Sequence, residues 1–381
     1  MSTVYFDHNS TTALKPEVLE AMLPWMTQQH GNPTSRHVFG RNARDAIEYA
    51  RTQVASAVGA QASQVIFTAS GTEANNFAIA GISGNFEPMQ ILTSSIEHPC
   101  VTRPAVAMQT RCWQASSIAV DNQCQINMTH LEELLKSPTH LVSVMLANNE
   151  TGSIQNIAHI SELARKHKAY MHTDAVQALG KLPVDFAELG VHAMTISSHK
   201  IGGPLGAGAL VLDKRVDIQP LLYGGGQEKG LRSGTENIAA TVGFGAACTL
   251  AINGLGHYVS HTSALRQTLE SGLMKIGAAI FAEHSHRIPN TSFFAFPNIE
   301  GETLVTALDK AGFAVASGSA CSSDSTEPSH VLRAMGIETD LARGAVRVSL
   351  GVNNTLAQIE AFLLTLQSEV KRLSDLTAIA A

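Results

Sequence analysis

The apolar positions of this chain follow two periods that alternate along most of its length. Between residues 35 and 58, Phe39, Ala43, Ile47, Ala50, Val54 and Val58 recur every third or fourth position. That stripe predicts a helix, with Gly59 placed to cap it. Val65–Thr68 is short, apolar and β-branched, and reads as a strand. Further strand-like segments fall at Gln90–Ser94, Ser116–Val120, His140–Ala147, Ala169–Thr173, Ala193–Ser197 and Ala207–Leu212. Helical stretches separate them: a run through Ile82, then others near 99–110, 129–136 and 157–168. Such alternation predicts an α/β fold around a mostly parallel sheet. The nearly unbroken apolar run Leu141–Leu146 suits a strand buried on both faces. After about residue 255 the pattern changes. A long helix is followed by a Phe-rich strand near Thr291–Phe296 and a helix near 302–311. An extended segment Ala345–Leu350 and a last helix near 355–373 complete the chain. The expectation is a large domain over 13–255 and a smaller α+β domain over 256–381, with residues 1–12 packing on the smaller one.

Composition narrows the class. With 44% hydrophobic and 15% charged residues, the chain of 381 can bury a sizeable core and is not expected to be disordered. A formal net charge of −6 and the absence of a Lys/Arg run argue against nucleic acid as a partner. The start of the sequence lacks the basic-then-apolar pattern of a secretory signal, and no apolar stretch reaches the length of a membrane span. The five cysteines, Cys100, Cys112, Cys124, Cys248 and Cys321, form no C-x-x-C pair and fit reduced thiols in a cytoplasm.

Chemistry gathers at the predicted strand ends, where pockets form in open α/β sheets. The strand Ala193–Ser197 runs into Ser198-His199-Lys200 and then a glycine-rich turn. Lys200 reads either as a solvated surface lysine or as a desolvated amine that forms a Schiff base with a carbonyl cofactor. Asp174, ending the preceding strand, is either an ion-pair partner or the carboxylate that keeps a pyridine nitrogen protonated. Gln177 is a helix-surface glutamine or a hydrogen-bond partner of the ring hydroxyl. Ser70-Gly71-Thr72-Glu73 makes an ordinary helix cap, or a phosphate site at Gly71 and Thr72 to which Ser197 and His199 add donors. Gly224–Gly226 with Arg232-Ser233-Gly234-Thr235 is a second loop able to close over an anion. His98 is structural, or it stacks on a planar ring and moves protons. Asn149, in Asn-Asn-Glu-Thr-Gly, is turn chemistry or an amide donor at the same sheet edge. Cys248 sits in an apolar run, as a buried thiol should. Cys321 lies among small polar residues, from which a thiol can reach a pocket as a nucleophile once ionised. Arg347 is a strand-edge salt bridge or a clamp for a substrate carboxylate.

Taken together the motifs resemble the cysteine desulfurases of the NifS/IscS type, within the class V aminotransferase-like enzymes. They are Tyr-Phe-Asp-His-Asn-Ser-Thr-Thr at 5–12, Gly-Asn-Pro-Thr-Ser at 31–35, Ser-Gly-Thr-Glu at 70–73, Glu-His-Pro at 97–99 and Asn-Asn-Glu-Thr-Gly at 148–152. They continue with His-Thr-Asp-Ala-Val-Gln at 172–177, Ser-His-Lys at 198–200, Arg-Ser-Gly-Thr-Glu-Asn at 232–237, Ser-Gly-Ser-Ala-Cys at 317–321 and Glu-Pro-Ser-His-Val-Leu at 327–332. The resemblance implies fold-type I, with a mostly parallel seven-stranded sheet flanked by helices, and pyridoxal 5'-phosphate as cofactor.

Residue by residue it implies Lys200 as the Schiff-base lysine and Asp174 as partner of the pyridine nitrogen. His98 stacks on the ring and moves protons, and Asn149 and Gln177 bond its oxygen or tune the linkage. Gly71, Thr72, Ser197 and His199 hold the phosphate, and Thr235 reaches it from the neighbouring subunit of a homodimer. Arg347 grips the carboxylate of L-cysteine, with Asn149 beside it. Cys321 takes the sulfur as a persulfide, leaving L-alanine, and passes it to an acceptor such as an iron–sulfur scaffold protein. No metal site is built in, although a persulfide on Cys321 could transiently contact a cluster. Ser198 stands where many relatives carry glycine and is expected to be tolerated with a shift of the loop. The sequence stops soon after its last helix, where some relatives carry a tail that docks the scaffold, which leaves the docking mode open. A transaminase needs no thiol at Cys321; a selenocysteine lyase differs only at the chalcogen.

Overall fold

The computed structural model describes residues 3–318 and 327–380. Its strands are β1 (Val4–Tyr5), β2 (Val65–Thr68), β3 (Gln90–Ser94), β4 (Gln114–Ile118), β5 (Thr139–Ser143), β6 (Tyr170–Asp174), β7 (Ala193–Ser197), β8 (Gly208–Leu212), β9 (Ala279–Ile280), β10 (Thr291–Ala295), β11 (Phe313–Ala314), β12 (Ala316–Ser317) and β13 (Val346–Ser349). Seven of them form one sheet in the order β2-β8-β7-β6-β5-β3-β4. Strand β8 runs antiparallel to both of its neighbours, and the other pairs are parallel. The mostly parallel α/β architecture expected from the alternating pattern is what the chain adopts.

Successive side chains of these strands feed opposite faces. Ile91, Leu141, Ala193 and Leu210 pack under the helices Gly71–Ser83 and Pro99–Ala107, in one buried cluster with Phe77, Val101 and Ala105. Leu92, Val142, Met194 and Val211 point the other way, into a cluster shared with Ile47, Val54 and Phe244. Burial on both faces explains the uniformly apolar strands. The edge strand β4 is the exception: Gln-Ala-Ser-Ser-Ile is polar and largely open to solvent.

Several boundaries moved. The strand expected at Ser116–Val120 lies at Gln114–Ile118, because Val120 instead bridges Ile126 across a tight turn. The segment His140–Ala147 leaves the ladder after Ser143. Val144 and Leu146 still donate to His172 O and Asp174 O, but Ala147 pairs back on Ile154 to close the Asn148–Gly152 turn. The last helix, Leu356–Ala380, is longer than expected. The helix Val38–Ala57 buries Ala43, Ile47, Ala50 and Val54 as its stripe predicts, while Phe39, in its first turn, is half exposed. Gly59 takes a left-handed φ of +62° just past its end, and Ala60 N reaches back to Ala55 O at 2.9 Å.

A second sheet, β12-β13-β10-β9, is antiparallel throughout. With the helices Leu255–Lys275, Gly301–Lys310 and Leu356–Ala380 it encloses a separate apolar cluster that includes Phe294, Val348, Phe362 and Leu366. Phe6, from the opening segment, is fully buried in that cluster, edge-on to Phe362. Strand β1 pairs with β11, and Asp7 bridges Ser349.

Candidate active site

A cavity of about 800 Å³ opens beyond the carboxyl ends of β2, β3, β5, β6 and β7. It takes its walls from those strand ends, from residues 9 and 10, and from Arg347. Strand β7 stops because Ser198–Lys200 coils into a single 3-10 turn, held by Ser198 N to Ala207 O at 3.1 Å and Gly203 N to Ser198 O at 3.2 Å. The turn carries Lys200 out of the sheet. Its Nζ donates to Asn9 O at 2.7 Å and Ser10 O at 2.6 Å. Ser198 is fully buried, and its hydroxyl has no hydrogen-bond partner among the described residues. A Cβ on Gly203 would lie 2.1 Å from that hydroxyl, 2.9 Å from Ala247 Cβ and 3.0 Å from Ser198 O, so the turn leaves position 203 no room for a side chain.

Asp174 closes β6 at the floor of the cavity, 5% exposed. Its Oδ2 accepts from Asn75 Nδ2 at 2.7 Å and its Oδ1 from Val176 N at 2.9 Å. Burial pushes its pKa up. The two donors pull it back toward the carboxylate, as does the charge of Lys200. Asp174 forms no ion pair among the described residues. His98 caps the helix Pro99–Ala107, its Nδ1 accepting from Cys100 N at 3.2 Å. Burial lowers the His98 pKa, with the Asp174 carboxylate opposing, so the imidazole is held neutral.

The opposite end of the cavity is a helix N-terminus. Ser70 caps Gly71–Ser83 by accepting from Glu73 N at 3.1 Å, and Glu73 Oε2 accepts from Ala69 N at 3.0 Å. The N–H groups of Gly71 and Thr72, in the first turn, have no intrahelical acceptor. A Cβ on Gly71 would come within 3.0 Å of Val176 Cγ2 and 3.3 Å of Ser197 Cβ, so only glycine leaves this cradle open. His199 shares the wall, its Nδ1 3.1 Å from Thr11 Oγ1, and burial and the Lys200 charge bring its pKa down to about 4. This donor set fits pyridoxal 5'-phosphate. Amides, hydroxyls and a ring nitrogen suit a phosphate, a buried carboxylate held by two N–H donors suits a pyridinium nitrogen, and Lys200 suits an aldehyde.

Arg347 reaches the cavity from β13. Its Nη2 donates to Asp7 Oδ1 at 2.6 Å and Ser10 Oγ at 2.9 Å, and its Nη1 to Asn149 O at 3.0 Å. The strand-edge salt bridge and the cavity position therefore coexist in one side chain. Asn149 lines the same wall. Gln177 is turned by two neighbours. Its Nε2 donates to Asn9 O at 2.8 Å, and its Oε1 accepts from Lys181 Nζ at 2.5 Å.

Nearly every residue singled out in the sequence thus meets in one place. Thr235 does not: it is exposed and lies outside the cavity. Arg232, beside it, is committed to Glu73 at 2.6 Å and so braces the helix cap. Cys321 lies outside the described residues. Cys248 is fully buried, and burial pushes its thiol up, as expected of a structural cysteine.

Several participants were missed. Asn9 binds Thr291 Oγ1, Asn149 O, Lys181 and Asn290, and its carbonyl receives Lys200 and Gln177. It stood inside the quoted opening motif without a role. Asn75 lies four residues after Gly71, on the same helix face, which was a readable signal. Lys181 is 2% exposed, and burial, then the Lys200 and Arg347 charges, push its pKa well down. Nothing in the sequence marks it as an inward lysine. Glu97 is fully buried beside His98, with Oε1 accepting from Ser94 Oγ at 2.5 Å and Met145 N at 2.6 Å. Its Oε2 has no partner among the described residues, and burial raises its pKa to about 8.

No cluster of three or more His, Cys, Asp or Glu suited to a metal occurs among the described residues, and no single helix there is long and apolar enough to cross a membrane. The chain matches the family described as aminotransferase class-V over residues 4–362. It is 39% identical over 378 residues to a Dictyoglomus turgidum protein named cysteine desulfurase IscS, covering 98% of this chain and 96% of the relative. It is also 39% identical over 364 residues to one from Azotobacter vinelandii named cysteine desulfurase NifS, covering 94% and 90%. A solved NifS-like protein superposes with a TM-score of 0.92 at 36% identity, over 97% of this chain and 99% of that one. SspA, solved in complex with cysteine, gives 0.82 at 31% identity, over 93% and 100%. The chain belongs to the class-V aminotransferase family, within its cysteine desulfurase branch.

Proposed function

We propose that the protein takes sulfur from L-cysteine with pyridoxal 5'-phosphate in this cavity, leaving L-alanine and a persulfide on Cys321. The observation that carries this reading is one cavity lined by a lysine, by a buried carboxylate and by an arginine from the second sheet. The cofactor supplies an electron sink that acidifies the substrate α-carbon and weakens its carbon–sulfur bond. Asp174 would hold the pyridine nitrogen protonated, with Asn75 and Val176 N keeping the carboxylate in place. Gly71, Thr72, Ser197 and His199 would hold the phosphate, with Gln177 and Asn149 at the ring oxygen. Lys200 would hold the cofactor by its aldehyde and, as a free amine, carry the proton of the substrate α-carbon. Arg347 would fix the substrate carboxylate. His98, neutral, carries the proton exchanged with the substrate sulfur. The Cys321 thiolate attacks that sulfur: a sulfur–sulfur bond forms, the carbon–sulfur bond breaks with its electron pair left on carbon, the protons held by His98 and Lys200 return to the carbon skeleton, and it leaves as alanine beside the persulfide anion.

The active unit in this proposal is a cytoplasmic homodimer in which Thr235 completes the neighbouring phosphate site. Its support is a set of exposed apolar side chains, with Leu19, Leu23 and Met26 exposed on one helix and Leu205 and Tyr223 each 73% exposed. A sulfur-acceptor protein, such as an iron–sulfur scaffold, then receives the persulfide. Incubation with L-cysteine should release alanine, and sulfide when a thiol reductant is present. Cys321→Ser should abolish sulfur transfer; a serine variant that transferred sulfur as well as the parent would overturn the proposal.

A further inference from the structure

Cys100 places a thiol in the wall of the cavity, and the reading above gives it no task. Its sulfur lies 2.9 Å from His98 Nδ1 and accepts from Asn75 Nδ2 at 3.0 Å. The same amide donates to Asp174 Oδ2 at 2.7 Å. The direction of these bonds follows from the backbone. Cys100 N already donates to His98 Nδ1, so Nδ1 is the bare nitrogen of the neutral ring and the hydrogen sits on Nε2. A sulfur in contact with a bare nitrogen places its own hydrogen between them, while Asn75 fills a sulfur lone pair.

We infer that Cys100 is a positioning residue for His98, its S–H donating to Nδ1, fixing the Nε2–H tautomer and linking the ring through Asn75 to Asp174. The inference rests on the proton-carrying role proposed for His98. Two donors on Nδ1 exclude a hydrogen there, so protonating the ring requires both bonds to break. The charged groups facing the ring act in both directions: Asp174 favours its protonation, while burial, Lys200, His330 and Arg103 oppose it. Burial and the Asp174 carboxylate push the Cys100 thiol up to about 12, so it keeps its hydrogen through the neutral range and does not compete with Cys321 as a nucleophile.

The test uses cofactor-loaded enzyme with Cys100→Ala, Cys100→Val and Cys100→Ser. It follows the pH profile of kcat/KM and, independently, the His98 titration by NMR of nitrogen-labelled imidazole. Losing one neutral donor should move the acid limb and the His98 titration up by about half to one pH unit in the alanine and valine variants. The serine variant keeps a donor and should return both toward the parent. An unmoved His98 titration in the valine variant, or an equal shift in the serine variant, would overturn the inference. Failure of the underlying reading is distinguishable: His98→Ala enzyme as active as the parent would remove His98 from the chemistry and leave the titration result standing.

Discussion

The two ends of the cavity are built in different ways. At the cofactor end, Asp174 and Ser197 end two strands of one sheet and Gly71, Thr72, His98 and Lys200 follow the ends of others or of the same ones, so the backbone ladder sets their spacing. At the carboxylate end, Arg347 comes from the second sheet and meets Asp7 and Ser10 from the opening segment and Asn149 from a turn. The first end is a socket built on one sheet. The second is a junction of three separate pieces, held by hydrogen bonds to charged groups. Damage to each should therefore have its own signature: loss of cofactor chemistry at one, loss of substrate affinity at the other.

The largest effect is expected from Lys200→Ala. It should lower sulfide release by more than about 10³-fold, since proton transfer alone contributes on the order of 10²–10⁴. It should also remove the absorption near about 420 nm that marks a cofactor bonded to lysine. Retained absorption would displace Lys200 from the socket. Next, Arg347→Ala should raise KM for L-cysteine by about 10–100-fold, the worth of charge-assisted hydrogen bonds, and leave that absorption unchanged. If kcat fell and KM held, the two ends would not be separable in the way drawn here. The smallest effect concerns the acid hidden in the socket. Glu97 has a folded pKa of about 8, above the ordinary value of 4.5. Between these values the unfolded chain has released a proton that the folded one keeps, so stability falls as pH rises. Glu97→Gln removes that slope, and its melting temperature relative to the parent should climb by about a few degrees from about pH 5 to about pH 8. A difference constant with pH would mean that Glu97 is ionised in the fold.

The socket was the more legible end. Strand periods located the sheet, and the residues just past each strand were the ones that met. Side-chain chemistry at a strand end is visible in a sequence because the strand's position fixes its neighbours. The junction was less legible because much of it is backbone. Asn9 and Ser10 hold Lys200 through carbonyl oxygens, which every residue possesses. Lys181 was unreadable for a different reason. Burying an amine is costly, and the acceptors that offset the cost, Asn9 Oδ1 and Gln177 Oε1, are assembled by the fold. Strand ends slipped where a turn captured residues that periodicity assigned to the ladder, as at Val120 and Ala147.

The junction also sets an order of events for a chain made from its amino end. Asn9 N donates to Ser349 Oγ at 2.9 Å, and Asp7 holds Arg347. Synthesis must therefore reach Ser349 before the contacts of Asp7 with Arg347 and of Asn9 with Ser349 can close, and at about 5–20 residues per second the 340 positions that separate Asn9 from Ser349 take tens of seconds. Throughout that interval the residues that form the socket can already have folded, while Phe6 still lacks the apolar cluster that buries it.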